Sequence, residues 1–122
     1  MQSRWLLGAC ALALMVWTRA WGADAGDQGV RLYVERCSPC HGDQGRGDGP
    51  TAPALLPPPR DFGDAAFWKG RSIADLRAIV KGGKPGTMMP PFEGVLSDAE
   101  IDAVVESLRR FDPTPSPAGS AK

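Results

Sequence analysis

Almost thirty residues, from Gly42 to Gly70, carry neither a helical period nor the alternation of a strand. In a compact domain a connection of that length needs something to wrap around. The domain that contains it, residues 24–112, is rich in Gly and Pro and small for a self-sufficient hydrophobic core. Something other than apolar side chains is therefore expected to hold it together.

The start of that domain follows from the first residues. Arg4 supplies a positive charge, Trp5 to Trp17 form an uncharged apolar run, and small residues follow at Ala20, Gly22, Ala23 and Ala25. This is the pattern of a secretory signal peptide over residues 1–23, with cleavage falling between residues 22 and 25. The run is shorter than the roughly 18–20 residues that a bilayer span needs. Cys10 follows a loose lipoprotein-like box, Leu7-Gly8-Ala9, but most of the apolar segment comes after it, so it reads as part of the signal.

Removal of the signal takes Arg4 and Arg19 from the 14 basic residues and none of the 14 acidic ones. The remaining domain is mildly acidic, which argues against nucleic acid or an anionic membrane as partner. Its cysteines are then Cys37 and Cys40, and its methionines Met88 and Met89.

Three helical patterns stand out. The first runs from about Asp27, a candidate N-cap, to Cys37, with Val30, Tyr33, Val34 and Cys37 at helical spacing. The second opens at Ser72, with Asp75 in its first turn, buries Ile73, Leu76, Ile79 and Val80, and stops at Gly82-Gly83. The third begins with the capping box Ser97-Asp98-Ala99-Glu100, with Leu96 and Ile101 placed as a hydrophobic staple and Ile101, Val104, Val105 and Leu108 as its apolar stripe. Residues 113–122 are mainly Pro, Ser, Ala and Gly with a final Lys, the composition of a disordered tail.

The chemistry is concentrated in Cys37-Ser38-Pro39-Cys40-His41, which holds the only histidine of the chain. Two cysteines three apart serve as a redox disulfide, half of a zinc site, or attachment points for a c-type haem. A zinc site closes with four Cys or His ligands and the domain offers three. A thioredoxin-like pair sits in a βαβ unit, and no strand pattern is present. The haem reading uses every residue: two thiols become thioethers at one porphyrin edge, and the following histidine lies beneath the iron. A second axial ligand cannot be histidine, which leaves a methionine sulfur. Met89 is preferred to Met88, because Pro90 biases it to an extended conformation that can cross the open haem face.

With these motifs in order, the chain resembles the class I cytochrome c family in its small bacterial monohaem form, over about Asp27 to Phe111. The resemblance implies an all-α cytochrome c fold, three main helices and long Gly/Pro loops wrapped around one covalently bound haem c. Gly29 and Tyr33, eight and four positions before the first cysteine, match residues where the family's terminal helices cross. Pro53-Ala54-Leu55 matches a family Pro-x-Leu, so the Pro53 carbonyl is expected to accept a hydrogen bond from His41 while Leu55 packs on the ring. One position departs: Ser107 stands before Leu108 where the family usually carries an aromatic residue, a gap that Tyr33 is expected to fill.

The expected function is an exported, non-enzymatic carrier of single electrons in the periplasm, with His41 and Met89 on the iron and redox proteins as donor and acceptor. It is read as a monomer or as a subunit of a larger redox complex, with no transmembrane segment in the mature chain. Arg60 and Trp68 are candidate haem propionate contacts, with plain core packing the equal alternative for Trp68. Lys69, Arg71, Lys81 and Lys84 form either a steering patch or a set of scattered solvated charges. The alternative is a haem protein with a labile sixth ligand that binds gases or catalyses a reaction.

Overall fold

The computed structural model describes residues 21–114. Residues 1–20 of the expected signal and 115–122 of the expected tail lie outside them. The helices are α1 (Trp21–Arg36), α2 (Ser38–His41), α3 (Ala65–Trp68), α4 (Ile73–Gly82) and α5 (Asp98–Ser107), with 3-10 turns at Ala52–Ala54 and Leu108–Phe111. Among the described residues no strand forms, and one isolated bridge pairs Glu93 with Leu96. The helix α1 starts before Asp27, so that residue is an exposed position within the helix and not its cap.

The fold rests on the crossing of α1 and α5. A Cβ at Gly29 would overlap the Ala103 carbonyl, so only glycine lets the two backbones meet there. Ser107 lies in the same contact, its hydroxyl 2.6 Å from the Val104 carbonyl and 3.3 Å from the Gly29 carbonyl. One turn further along α1, Tyr33 is fully buried with Ile101 and Val105 of α5. Burial of each such side chain is worth about 1.5–3 kcal/mol. In the turn that follows α5, Phe111 lies 5.2 Å from the Tyr33 ring.

The position of this seam corrects one expectation. With Gly29 and Tyr33 facing α5, Val30 and Val34 are rotated off the contact and stay 41% and 54% exposed. Val30 and Val34 share a helix face with each other but not with the core.

Both later helices start with reciprocal caps. Ser72 Oγ accepts from the Asp75 amide while the Asp75 carboxylate accepts from the Ser72 amide, and Ser97 and Glu100 repeat the pattern on α5. Asp75 is thus a partner in a cap as well as a first-turn charge. Leu96 and Ile101 are both buried, as a staple requires. On α4, Leu76 and Val80 are buried, whereas Ile73 and Ile79 are only half covered.

The long connection contributes more than its pattern suggests. Phe62 and Phe67 are buried in the same cluster as Tyr33, Leu76, Ile101 and Leu108, and Trp68 packs against it. Asp64 caps the short helix α3 by accepting from the Ala66 amide, and the Trp68 indole N–H donates to the Phe62 carbonyl at 2.7 Å.

Replacing Gly29 by Ala should destabilise the fold by about 1–3 kcal/mol through overpacking against Ala103. Gly26 has open space around its Cβ position and lies in the same helix. Its replacement by Ala should instead be neutral or stabilising by up to about 1 kcal/mol. Urea denaturation of the two variants side by side measures the contrast.

Candidate functional site

The four-residue helix α2 cannot stabilise itself, because helix nucleation is unfavourable and its last carbonyls have no intrahelical partner. The following loop supplies those partners. The amides of Thr51, Gly49 and Gly47 donate in alternation to the carbonyls of Pro39, Cys40 and His41, at 3.0, 3.1 and 2.8 Å. A Cβ at Gly49 would collide with the Ser38 and Pro39 carbonyls, so the close approach requires glycine. The Thr51 hydroxyl adds a bond to the Pro39 carbonyl at 2.7 Å and lies 3.1 Å from Cys40 Sγ.

Helix α1 holds the other side of the same turn. The Ser38 hydroxyl donates to the Val34 carbonyl at 2.8 Å, and the buried Tyr33 hydroxyl donates to the Gly42 carbonyl at 2.7 Å. Burial holds the Tyr33 phenol far above its ordinary value, so it stays a neutral donor. Cys37 and Cys40 are half-buried free thiols. Burial pushes the Cys37 thiol up to about 11, an effect that the nearby Arg110 guanidinium opposes.

His41 stacks on Phe62, with ring centroids 4.7 Å apart and planes 18° apart. Its Nδ1 is buried without a partner at full hydrogen-bond geometry, while the Arg60 backbone lies close enough to bond the ring. Pro53 is exposed and Leu55 half-buried on the loop beside the motif. Burial lowers the His41 pKa, opposed by the Arg60 backbone, which favours a neutral imidazole able to act as a ligand.

Met89 is half-buried against the main core cluster, whereas Met88 is 68% exposed. Its loop folds back on the end of α4. The Phe92 and Glu93 amides donate to the Val80 and Lys81 carbonyls at 3.0 and 3.1 Å, and the Lys84 amide donates to the Met89 carbonyl at 3.2 Å. The Thr87 hydroxyl bridges the turn by donating to the Lys84 carbonyl and accepting from the Met89 amide.

Two of the four cations considered for a steering patch are occupied within the chain. Lys81 pairs with Asp98 at 2.9 Å and Glu93 at 3.7 Å. Arg71 donates to the Phe67 carbonyl and lies over that ring. Lys69 and Lys84 are exposed. Trp68 spends its indole N–H on Phe62, which places it with the core, and the Arg60 side chain is exposed.

The donor set fits a covalently held haem: two free thiols at one turn, a neutral imidazole whose Nδ1 is buried without a partner at full hydrogen-bond geometry, and a half-buried thioether at the same core. Sequence reasoning missed Phe62. Its only local signal is an aromatic residue in a loop otherwise made largely of Gly, Pro and charge.

The family profile described as cytochrome C oxidase, cbb3-type, subunit III matches residues 24–106. The dihydro-heme d1 dehydrogenase of Pseudomonas aeruginosa is 35% identical over 105 residues, covering 84% of this chain and 18% of that protein. Among solved structures, a chain of the Kuenenia stuttgartiensis reducing HAO-like protein complex Kustc0457/Kustc0458 superposes with a TM-score of 0.62 at 30% identity, covering 70% of this chain and 41% of that one. The KustC0563 c-type cytochrome superposes at 0.56 with 33% identity, covering 68% of this chain and 95% of its own. The c-type cytochrome NirC does so at 0.52 with 25% identity, covering 78% and 98%. This chain therefore spans less than a fifth of the curated relative and nearly the whole of two small cytochromes.

The ion pairs that tie the Met89 loop and α5 to α4 carry a pH signature. Hydrogen bonding to Lys81 holds the Asp98 carboxyl below the usual carboxylate range. A carboxylate with a depressed folded pKa contributes stability that is fully present above its unfolded value, about 3.9, and is lost as pH falls through the folded value. Thermal melts taken from neutral pH to below about pH 3 should show this loss. Asp98→Asn should lower the neutral-pH melting temperature and make the acid limb shallower.

Proposed function

Since this chain belongs to the cytochrome c family, in the group described by cbb3-type oxidase subunit III, and carries covalently bound haem c, we propose that it is an exported carrier of single electrons whose iron is ligated by His41 and Met89. The observation that carries this reading is the placement of Met89, half-buried against the cluster that contains Phe62, the ring on which His41 stacks. The exposure of Met88 supports the choice between the two methionines.

The haem, when bound, supplies a one-electron couple. The protein's own groups determine what that couple can do. Cys37 and Cys40 would hold the group to the turn as thioethers, and His41 would donate from the same turn. Met89 would supply the second protein ligand, and with both ligands in place a substrate would find no site to coordinate. A thioether ligand and a buried site both disfavour the more highly charged oxidised state, which raises the potential.

Export to the periplasm is supported by the signal-like pattern of residues 1–23, and no helix among the described residues is long and apolar enough to cross a membrane. The protein would exchange electrons with larger redox proteins. The relatives favour such partners: one is named a dehydrogenase, and another is part of a multi-protein complex. A role as the electron-carrying subunit of such an assembly accords with the same site.

Absorption spectra of the exported holoprotein, oxidised and reduced, with and without CO, test the ligation. The expected result is a low-spin spectrum with a sulfur-to-iron charge-transfer band that CO does not alter. Met89→Ala should lose the band and bind CO, and Met88→Ala should do neither. Prompt CO binding by the unmutated protein would overturn the carrier reading in favour of a gas-binding or catalytic one.

A further inference from the structure

We propose that Arg110 sets the reduction potential of the haem: it is a fixed, unneutralised cation beside the Cys37 attachment point, and it raises the potential of the group held there. The inference rests on covalent attachment of haem c through Cys37 and Cys40. It is independent of which side chain closes the sixth position of the iron.

Arg110 lies in the 3-10 turn Leu108–Phe111 that follows α5. Its guanidinium stands 4.5 Å from the centroid of the Tyr33 ring and 4.4 Å from that of Phe111. Two cation–π contacts hold a side chain that otherwise samples many rotamers. The rings that hold it are themselves fixed. Tyr33 is fully buried and donates to the Gly42 carbonyl, while a Cβ at Gly45 would come within 2.8 Å of the Phe111 ring. The charge is therefore referenced to α1 and to the loop that caps α2.

A cation in that place acts on Cys37. Tyr33 precedes Cys37 by one helical turn, its carbonyl accepting from the Cys37 amide at 2.9 Å. The guanidinium favours the ionised forms of both Tyr33 and Cys37 against the burial that disfavours them, so its field reaches the first attachment sulfur.

The charge is also uncompensated. Arg36, Arg77, Lys81 and Arg109 each pair with a carboxylate, whereas Arg110 forms no ion pair among the described residues. The ionisable groups that act on it are Tyr33 and Cys37, neither of them a carboxylate. With Tyr33 a neutral phenol and Cys37 a thioether, neither cancels the guanidinium. Its field then falls on the haem carried by that sulfur. Oxidation adds one positive charge to the haem, and a fixed like charge nearby disfavours that state.

Redox titration of the holoprotein at low and high ionic strength tests this. Arg110→Gln should lower the midpoint potential, and Arg110→Glu should lower it about twice as far, because the effect follows the charge at that position. Arg110→Lys should stay closer to the parent than either. Both decreases should shrink as salt is raised, because Arg110 is exposed and its field is screened. A lower melting temperature with an unchanged potential would make Arg110 a mere clamp on the two rings and would overturn the proposal. Equal decreases in Arg110→Gln and Arg110→Glu that salt does not alter would also overturn it, since they would report an opened site and not a lost charge. If Arg110→Glu yields no holoprotein, the contrast between Arg110→Gln and Arg110→Lys and its salt dependence decide alone. CO binding by the unmutated protein would overturn the carrier reading while leaving this comparison of potentials intact. Absence of haem that survives denaturation in the unmutated protein would remove the attachment at Cys37 and the proposal with it.

Discussion

The carbonyls at the end of the Cys-Ser-Pro-Cys-His turn are the constraint that the rest of the molecule answers. A helix as short as α2 leaves nearly all of its carbonyls unpaired, and its geometry has to be imposed from outside. The chain imposes it from two directions. The 47–51 strip pairs with Pro39, Cys40 and His41 in alternation, while Tyr33 reaches across from α1 to Gly42. The first set is local in sequence. The second depends on Tyr33 being buried, and hence on the contact between Gly29 and Ala103 that lets α1 and α5 close over it.

This dependence explains why a Gly-rich loop belongs immediately after the motif. The strip has to lie within backbone contact of α2, and a side chain at Gly49 would hold it away from the carbonyls it must pair. The apparent lack of structure between Gly42 and Gly70 is thus a pattern of backbone pairing without a repeating hydrogen-bond period. It ends at Phe62 and Phe67, which return the chain to the core. The connection wraps the motif.

What was legible in the sequence was what is encoded within one turn of chain. The attachment motif and the caps at Ser72 and Ser97 each depend on neighbours within a few residues, and the structure places a short helix and two reciprocal caps at those positions. What was not legible depends on which face meets which partner. The spacing of Val30, Tyr33 and Val34 permits a buried stripe. The choice of the Gly29–Tyr33 side is made by the Ala103 carbonyl on a helix about seventy residues away. The His41–Phe62 stack and the internal pairing of Lys81 and Arg71 are likewise contacts between distant segments, with no periodicity to announce them.

The anchoring of His41 and of Met89 differs in kind. His41 is held by backbone hydrogen bonds, the buried Tyr33 hydroxyl and an aromatic face, none of which carries charge. Salt and moderate changes of pH leave such contacts largely untouched. The Met89 loop is tied to α4 by backbone bonds next to an exposed ionic cluster, in which Lys81 pairs with Asp98 and Glu93 and Arg77 pairs with Asp102. The Arg77 pair is close by distance but lacks hydrogen-bond direction at Nε. Exposed pairs of this kind contribute little individually, are screened by salt and weaken on acidification. The two sides of the site therefore answer to different variables: the histidine side to packing, the methionine side to the ionic surroundings. Loosening of the site by salt or acid should begin at the Met89 loop, because the exposed ion pairs lie on that side.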